Sequence, residues 1–148
     1  MALTTVNIPN VTDIGAYNFY GCTSLAEINL PNATSIGSYA FSDCTSLIRV
    51  DARKVANVSN YAFDGCTSLI EVNIPDITTI GASAFNDCTS LTTVNFPNLT
   101  AVGSSTFYDC TSLTSANIDI SNIISIGSHA FRNCALLNEL KNLSFHKL

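Results

Sequence analysis

The chain predicts a β-rich solenoid, a right-handed coil with a parallel β-sheet along one face. Three observations carry that prediction. The tetrapeptide C-T-S-L stands at Cys22, Cys44, Cys66, Cys88 and Cys110 at one unvarying interval, and returns as C-A-L-L at Cys134 after a step two longer. A period of about 22 residues marks stacked coils that bury their apolar faces only against neighbours. Apolar residues never keep the i, i+3, i+4, i+7 spacing of an amphipathic helix over a long stretch. Thr, Ser, Asn and Ile dominate instead, and β-branched residues favour pleated surfaces. About seven coils are expected in the 148 residues, forming a single domain over 1–148 with an irregular C-terminal cap from about 135 onward.

The strand of each coil follows C-T-S. Its apolar positions are Leu25/Ile28/Leu30, Leu47/Val50/Ala52, Leu69/Val72/Ile74, Leu91/Val94/Phe96 and Leu113/Ala116/Ile118, with Leu3/Val6/Ile8 leading and Leu137/Leu140 trailing. Seven such strands stacked roughly 4.8 Å apart make a rod on the order of 30 Å long. Pro9, Pro31, Pro75 and Pro97 end strands, since proline fixes φ and lacks a donor. A second apolar stretch runs from the Val11, Ala33, Val55 column to Ile14, Ile36, Val58, Ile80, Val102 and Ile126. The glycines Gly15, Gly37, Gly81, Gly103 and Gly127 follow, with Ser59 in place of the third, and read as a corner of positive φ. Phe19, Phe41, Phe63, Phe85, Phe107 and Phe131 close the coil and are expected to stack as the core's spine.

The unit I-G-x-x-A-F-x-x-C-T-S-L-x-x-V-N-h-P, nearly unbroken from Ile80 to Pro97, resembles the BspA-like subgroup of leucine-rich repeats over almost the whole chain. The resemblance implies a leucine-rich-repeat solenoid and a non-enzymatic binding or adhesion module of a surface, secreted or phage structural protein. The chain departs from many leucine-rich repeats where the apolar Val11/Ala33/Val55 column replaces asparagine, so no asparagine ladder is expected there. A two-residue insertion at 119–124 should bulge from the last coil.

Composition excludes several functions. Net charge is −5 with pI near 4.6, and six Lys and Arg are outnumbered by eleven acids, which gives no footprint for nucleic acid or anionic membrane. Spanning a bilayer takes an unbroken apolar run of roughly 18 residues or more. None occurs, so no membrane insertion is expected. The N-terminus lacks signal-peptide character, and a surface or extracellular location rests on the resemblance alone. Cysteines one coil apart hold their Cβ atoms nearly a strand spacing apart, roughly 4.8 Å, beyond the usual bridge distance of about 3.5–4.5 Å. Without a C-x-x-C or C-x-x-H pair no metal is expected, and the thiols read as buried and free. His129 and His146 have no recurrent partner, and the repeat serines lie in no nucleophile motif, so no catalytic residue and no cofactor is assigned. Sequons at Asn10, Asn32, Asn57, Asn98 and Asn142 are glycan acceptors only in a suitable secretory setting, and the consensus P-N-x-T itself generates three of them.

Two surfaces are candidates for a partner. Between the apolar strand positions, Asn7, Asn29, Asp51, Asn73, Asn95 and Asn117 face outward beside Thr5, Glu27, Arg49, Glu71, Thr93 and Ser115. Here Ile48, Arg49, Asp51, Ile70, Glu71 and Asn73 set two apolar groups amid charges, the favoured centre for a protein ligand or a cell-surface glycan. The competing surface is Tyr17, Tyr39 and Tyr61, which read as contact residues or as amphipathic cover for the corners. A spacer or assembly element acting through its ends is the alternative function, because the chain opens directly on a strand and invites end-to-end self-association or an adjoining domain.

Overall fold

The computed structural model describes residues 2–140. Each coil carries a main strand and, after the proline turn, a second, very short strand. In chain order these are β1 (Thr5–Asn7), β2 (Asp13–Ile14), β3 (Glu27–Asn29), β4 (Ser35–Ile36), β5 (Arg49–Asp51), β6 (Asn57–Val58), β7 (Glu71–Asn73), β8 (Thr79–Ile80), β9 (Thr93–Phe96), β10 (Ala101–Val102), β11 (Ser115–Ile118), β12 (Ser125–Ile126) and β13 (Glu139–Leu140). Six complete turns and the start of a seventh result. The main strands run parallel in two ladders, β1-β3-β5-β7 and β9-β11-β13, with β7 and β9 adjacent but outside one hydrogen-bonded sheet. The short strands form an unbroken sheet of six, β2-β4-β6-β8-β10-β12, which the apolar spacing did not announce as a second sheet. Register follows the repeat: each residue pairs with its equivalent in the next coil, as Arg49 with Glu71 and Val50 with Val72.

Turns between these runs use the repeat's own residues. Val11, Ile77 and Leu99 N–H groups donate to Ile8, Ile74 and Phe96 carbonyls at 3.2–3.3 Å, so proline occupies the second turn position, where its φ is already suitable. C-T-S-L is likewise a turn, closed by the leucine N–H on the cysteine carbonyl at 3.1 Å in five coils. A third side joins the coils without regular strands: Phe19, Phe41, Phe63 and Phe107 N–H groups donate to Ala40, Ala62, Ala84 and Ala130 carbonyls at 2.8 Å. The insertion forms a 3-10 turn, Ile120–Asn122, capped by the Asp119 carboxylate accepting from Ser121 N–H, as the sequence predicted for a bulge.

Phenylalanines form the spine. Phe41, Phe63, Phe85 and Phe107 are fully buried, and successive rings from Phe19 to Phe131 stack 5.2–5.6 Å apart. Phe96 joins from the main-strand side, 6.1 Å from Phe85 and 6.4 Å from Phe107. Phe19 and Phe131 are only partly buried, since a terminal coil has a neighbour on one side. Leu3, expected inside, is 47% exposed for the same reason.

The glycine column corrects the expected corner. None of Gly15, Gly37, Gly81, Gly103 or Gly127 has positive φ. Left-handed residues stand two positions later, at Tyr17, Tyr39, Tyr61, Ser83, Ser105 and His129, and again at Gly21, Asp43, Gly65, Asp87, Asp109 and Asn133. At Gly37, Gly81, Gly103 and Gly127 the preceding coil leaves no room: a Cβ at Gly103 would lie 2.6 Å from Ala82 N and Gly81 C. Backbone crowding rather than backbone twist selects them.

Candidate functional site

The main-strand face brings the predicted cluster together. Ile48 and Ile70 stand just before β5 and β7, 43% and 47% exposed. They share with Ala26 a groove of about 590 Å³ flanked by the repeat serines Ser24, Ser46, Ser68 and Ser90. Other exposed large apolar side chains among the described residues, such as Leu3, Tyr17, Ile124 and Leu136, lie toward the ends. Among these serines, Ser90 Oγ donates to the Thr67 carbonyl of the preceding coil at 2.6 Å.

Beyond the isoleucines the face becomes ionic. Arg49 Nε lies 3.0 Å from Glu71 Oε2, both side chains more than half exposed, a cross-strand pair that costs or gains little stability in water. Asp51 Oδ1 accepts from Asn73 Nδ2 at 2.9 Å and from Arg53 Nε at 3.2 Å. The outward asparagine column thus forms local ladders, with Asn117 Nδ2 donating to Asn95 Oδ1 further along. A second hollow, of about 290 Å³, lies on the other flank of β5, where Thr5, Glu27, Asn29, Arg49 and Asp51 surround Val6 and Ile28.

Arg53 and Lys54 belong to this surface and escaped the strand-period reading, because they fall on the turn after β5. Their signal was a departure from the column: other coils place Pro9-Asn10, Pro31-Asn32, Pro75-Asp76 and Pro97-Asn98 there. The turn still closes, with Val55 N–H on the Ala52 carbonyl at 3.1 Å. The Arg53 side chain is 71% exposed, and Lys54 Nζ donates to Asn32 Oδ1 at 2.8 Å.

The tyrosine surface differs in kind. Tyr17, Tyr39 and Tyr61 stack at 4.9 and 4.7 Å with planes 5° apart, and Tyr20 meets Tyr17 edge-on at 5.8 Å. Each inner ring face is covered by its neighbour, so the stack offers edges and hydroxyls rather than open faces. Desolvation by the neighbouring rings, then their charges, hold the Tyr39 hydroxyl above its ordinary pKa. The arrangement suits corner packing, with both faces of Tyr39 covered and one face each of Tyr17 and Tyr61 taken up by the stack.

The cysteines are free and point inward. Sγ of Cys44, Cys66, Cys88 and Cys110 donates to the carbonyl of Phe19, Phe41, Phe63 and Phe85 at 3.1–3.3 Å. Burial pushes the Cys44 thiol up to about 12 and raises Cys66 and Cys88 as well, the opposite of a reactive thiolate. His129 is exposed in the tyrosine column; His146 and the sequon at Asn142 lie outside the described residues. No group of His, Cys, Asp and Glu among the described residues is arranged to hold a metal ion, and no described helix is long and apolar enough to cross a membrane.

A parallel coil of constant repeat, leucines at the strand entry and an outward sheet face define a leucine-rich-repeat scaffold. More narrowly, the chain belongs to the BspA type leucine rich repeat region family, whose model matches residues 1–114 and 56–146 in six copies. Repeats of this family build protein-interaction scaffolds, and its members are typically non-enzymatic. Solved relatives agree. A leucine-rich repeat protein from Bacteroides ovatus superposes with a TM-score of 0.84 at 31% identity, over 98% of this chain and 39% of its own. One from Eubacterium ventriosum gives 0.79 at 32%, over 90% of this chain and 37% of its own. A leucine rich cell surface protein from Faecalibacterium prausnitzii gives 0.70 at 27%, over 91% and 46%. The chain therefore spans less than half the length of these three relatives. No curated protein matches it.

Proposed function

We propose that residues 1–148 act as one protein-binding module of a surface-exposed or secreted protein, engaging its partner through the main-strand face. The observation that carries this reading is the pairing of Ile48 and Ile70, exposed in mid-rod, with the ionic group Arg49, Glu71, Asp51 and Asn73 in register beside them. Apolar anchors ringed by charge on a rigid sheet match the anatomy of contact centres. The surface location draws on the Faecalibacterium relative, a leucine rich cell surface protein. A glycan ligand finds less support, since the tyrosine faces are mutually covered.

The test is the double variant Arg49→Ala/Ile70→Thr. Both side chains point to solvent, so stability should stay within about 0.5 kcal/mol. Affinity for a protein partner recovered from the surface that the source cell contacts should fall by at least about 2 kcal/mol. Unchanged affinity, with binding lost instead on altering Tyr17, Tyr39 and Tyr61, moves the site to the tyrosine edge.

A spacer or assembly role acting through the ends is the second reading. It would act through first-coil side chains such as Phe19, partly buried, and Leu3, 47% exposed. Loss of self-association on changing those residues, with the face double variant silent, would establish it.

A further inference from the structure

Resting on the face-binding reading, we propose that the third coil is the selectivity element of that face, and that it takes an extended segment of a partner protein carrying carboxylates next to an aliphatic residue. Four cations lie among the described residues, and three of them, Arg49, Arg53 and Lys54, fall within this one coil of an acidic chain. Nothing in the fold requires cations there. The turn at Ala52–Val55 closes with the same hydrogen bond as the turns at Pro9-Asn10, Pro75-Asp76 and Pro97-Asn98.

Both arginines are held from the side. Nε of Arg49 meets Glu71 and Nε of Arg53 meets Asp51, and the two arginine side chains, each ending in a guanidinium fork, stay 58% and 71% exposed. Such a fork, already oriented by an internal carboxylate, is suited to bidentate capture of a second one, and its ordering precedes binding. Among the described residues Lys54 meets only the neutral Asn32 amide, so no carboxylate there answers its charge. Along the coil the order is Ile48, Arg49, Asp51, Arg53, Lys54: an apolar seat, then cations on alternate outward positions. An extended segment rising about 3.3 Å per residue that inserts an aliphatic side chain between Ile48 and Ile70 carries its next outward side chains over those forks.

Selection of random twelve-residue displayed peptides on the immobilised chain tests this directly. The expected winners combine an aliphatic residue with Asp or Glu within the next few positions, and bind more weakly as salt is raised. A synthetic winner should lose at least about tenfold in affinity on Arg53→Pro/Lys54→Asn, a variant that copies the neighbouring coils and whose folding is checked by its thermal melt. It should lose at least as much on Ile48→Thr/Ile70→Thr. Unchanged affinity in the Arg53/Lys54 variant, with loss in the isoleucine variant, overturns the acidic selectivity and leaves the face-binding reading standing. Loss in neither variant overturns both. Winners without acidic residues, or a peptide that dextran sulfate displaces and whose acids can be replaced by amides without loss, overturn the acidic-peptide assignment in favour of another ligand class.

Discussion

The third and fourth coils share one interior and differ in their exteriors. Val50, Ala52, Val55, Val58 and Phe63 are as completely buried as Ile74, Ile77 and Phe85 one coil on, and the hydrogen bonds that join them to their neighbours follow the same pattern. Outward, the fourth keeps the repeat's Pro75 and Asn73, while the third carries Arg49, Asp51, Arg53 and Lys54. Stacking disciplines the inward columns, because each side chain must fit the coil above and below. The outward columns are bound by no such rule, and a departure there whose cations make solvent-exposed contacts within the chain, and so contacts worth little, points to something outside it.

The comparison breaks most severely at the spine. Phe63→Ala should cost roughly 3–5 kcal/mol, as for deletion of a buried aromatic, whereas Phe19→Ala should cost clearly less, since its ring is only partly buried. Urea melts of the two variants decide it; equal losses would mean that stacking with one neighbour supplies what two were thought to.

Next in size is the glycine column. Gly103→Ala drives a Cβ into the backbone of the preceding coil at 2.6 Å and should cost about 1–3 kcal/mol as overpacking. At Gly15 the nearest obstacle is the Asn18 side chain, at 3.0 Å, which can swing aside, so Gly15→Ala should cost a few tenths. If both substitutions proved equally harmful in thermal melts, the crowding argument would fail.

The thiols give a smaller, pH-dependent effect. Burial raises Cys44 to about 12 and Cys134 to about 11, from an ordinary value of 9.0. A thiol raised on folding contributes stability that is complete below the unfolded value and is lost as pH climbs through the folded one. The urea midpoint should therefore hold up to about pH 9 and decline above it, and the decline should be smaller in Cys44→Ala. Under native conditions at pH 8 the central cysteines should resist a thiol reagent, and all six should react after unfolding.

How much of this was legible in the sequence depends on what each residue answers to. The coil, the phenylalanine spine, the inward leucines and the inserted turn were legible, because each answers to a column that returns in every coil. The second sheet was hidden: a strand as short as Thr79–Ile80 shows only one inward side chain and no alternation to count. The glycines were assigned to a twist when their cause was contact with the preceding coil, which no linear pattern records. On the face, Ile48, Arg49, Glu71 and Asp51 were found by the alternation of the strand, and Arg53 was missed because it lies just past the strand's end. Only the structure shows it reaching back to Asp51.

Arg53 also gives the most delicate test of the contrast between coils. Its position is one where four other coils carry proline, and three of those turns, at Pro9, Pro75 and Pro97, close with the same hydrogen bond, so the backbone there is suited to the proline φ. Arg53→Pro should then stabilise the chain by about 0.4–1 kcal/mol through reduced freedom of the unfolded state. The exposed contact with Asp51 that it removes is worth little against this. A stabilised Arg53→Pro would show that the arginine is kept at a standing cost to the fold, as expected of a residue that serves binding. A destabilisation of about 1 kcal/mol or more in a careful denaturant melt would show instead that Arg53 supports its own coil, and the third coil would differ from the fourth for reasons internal to the rod.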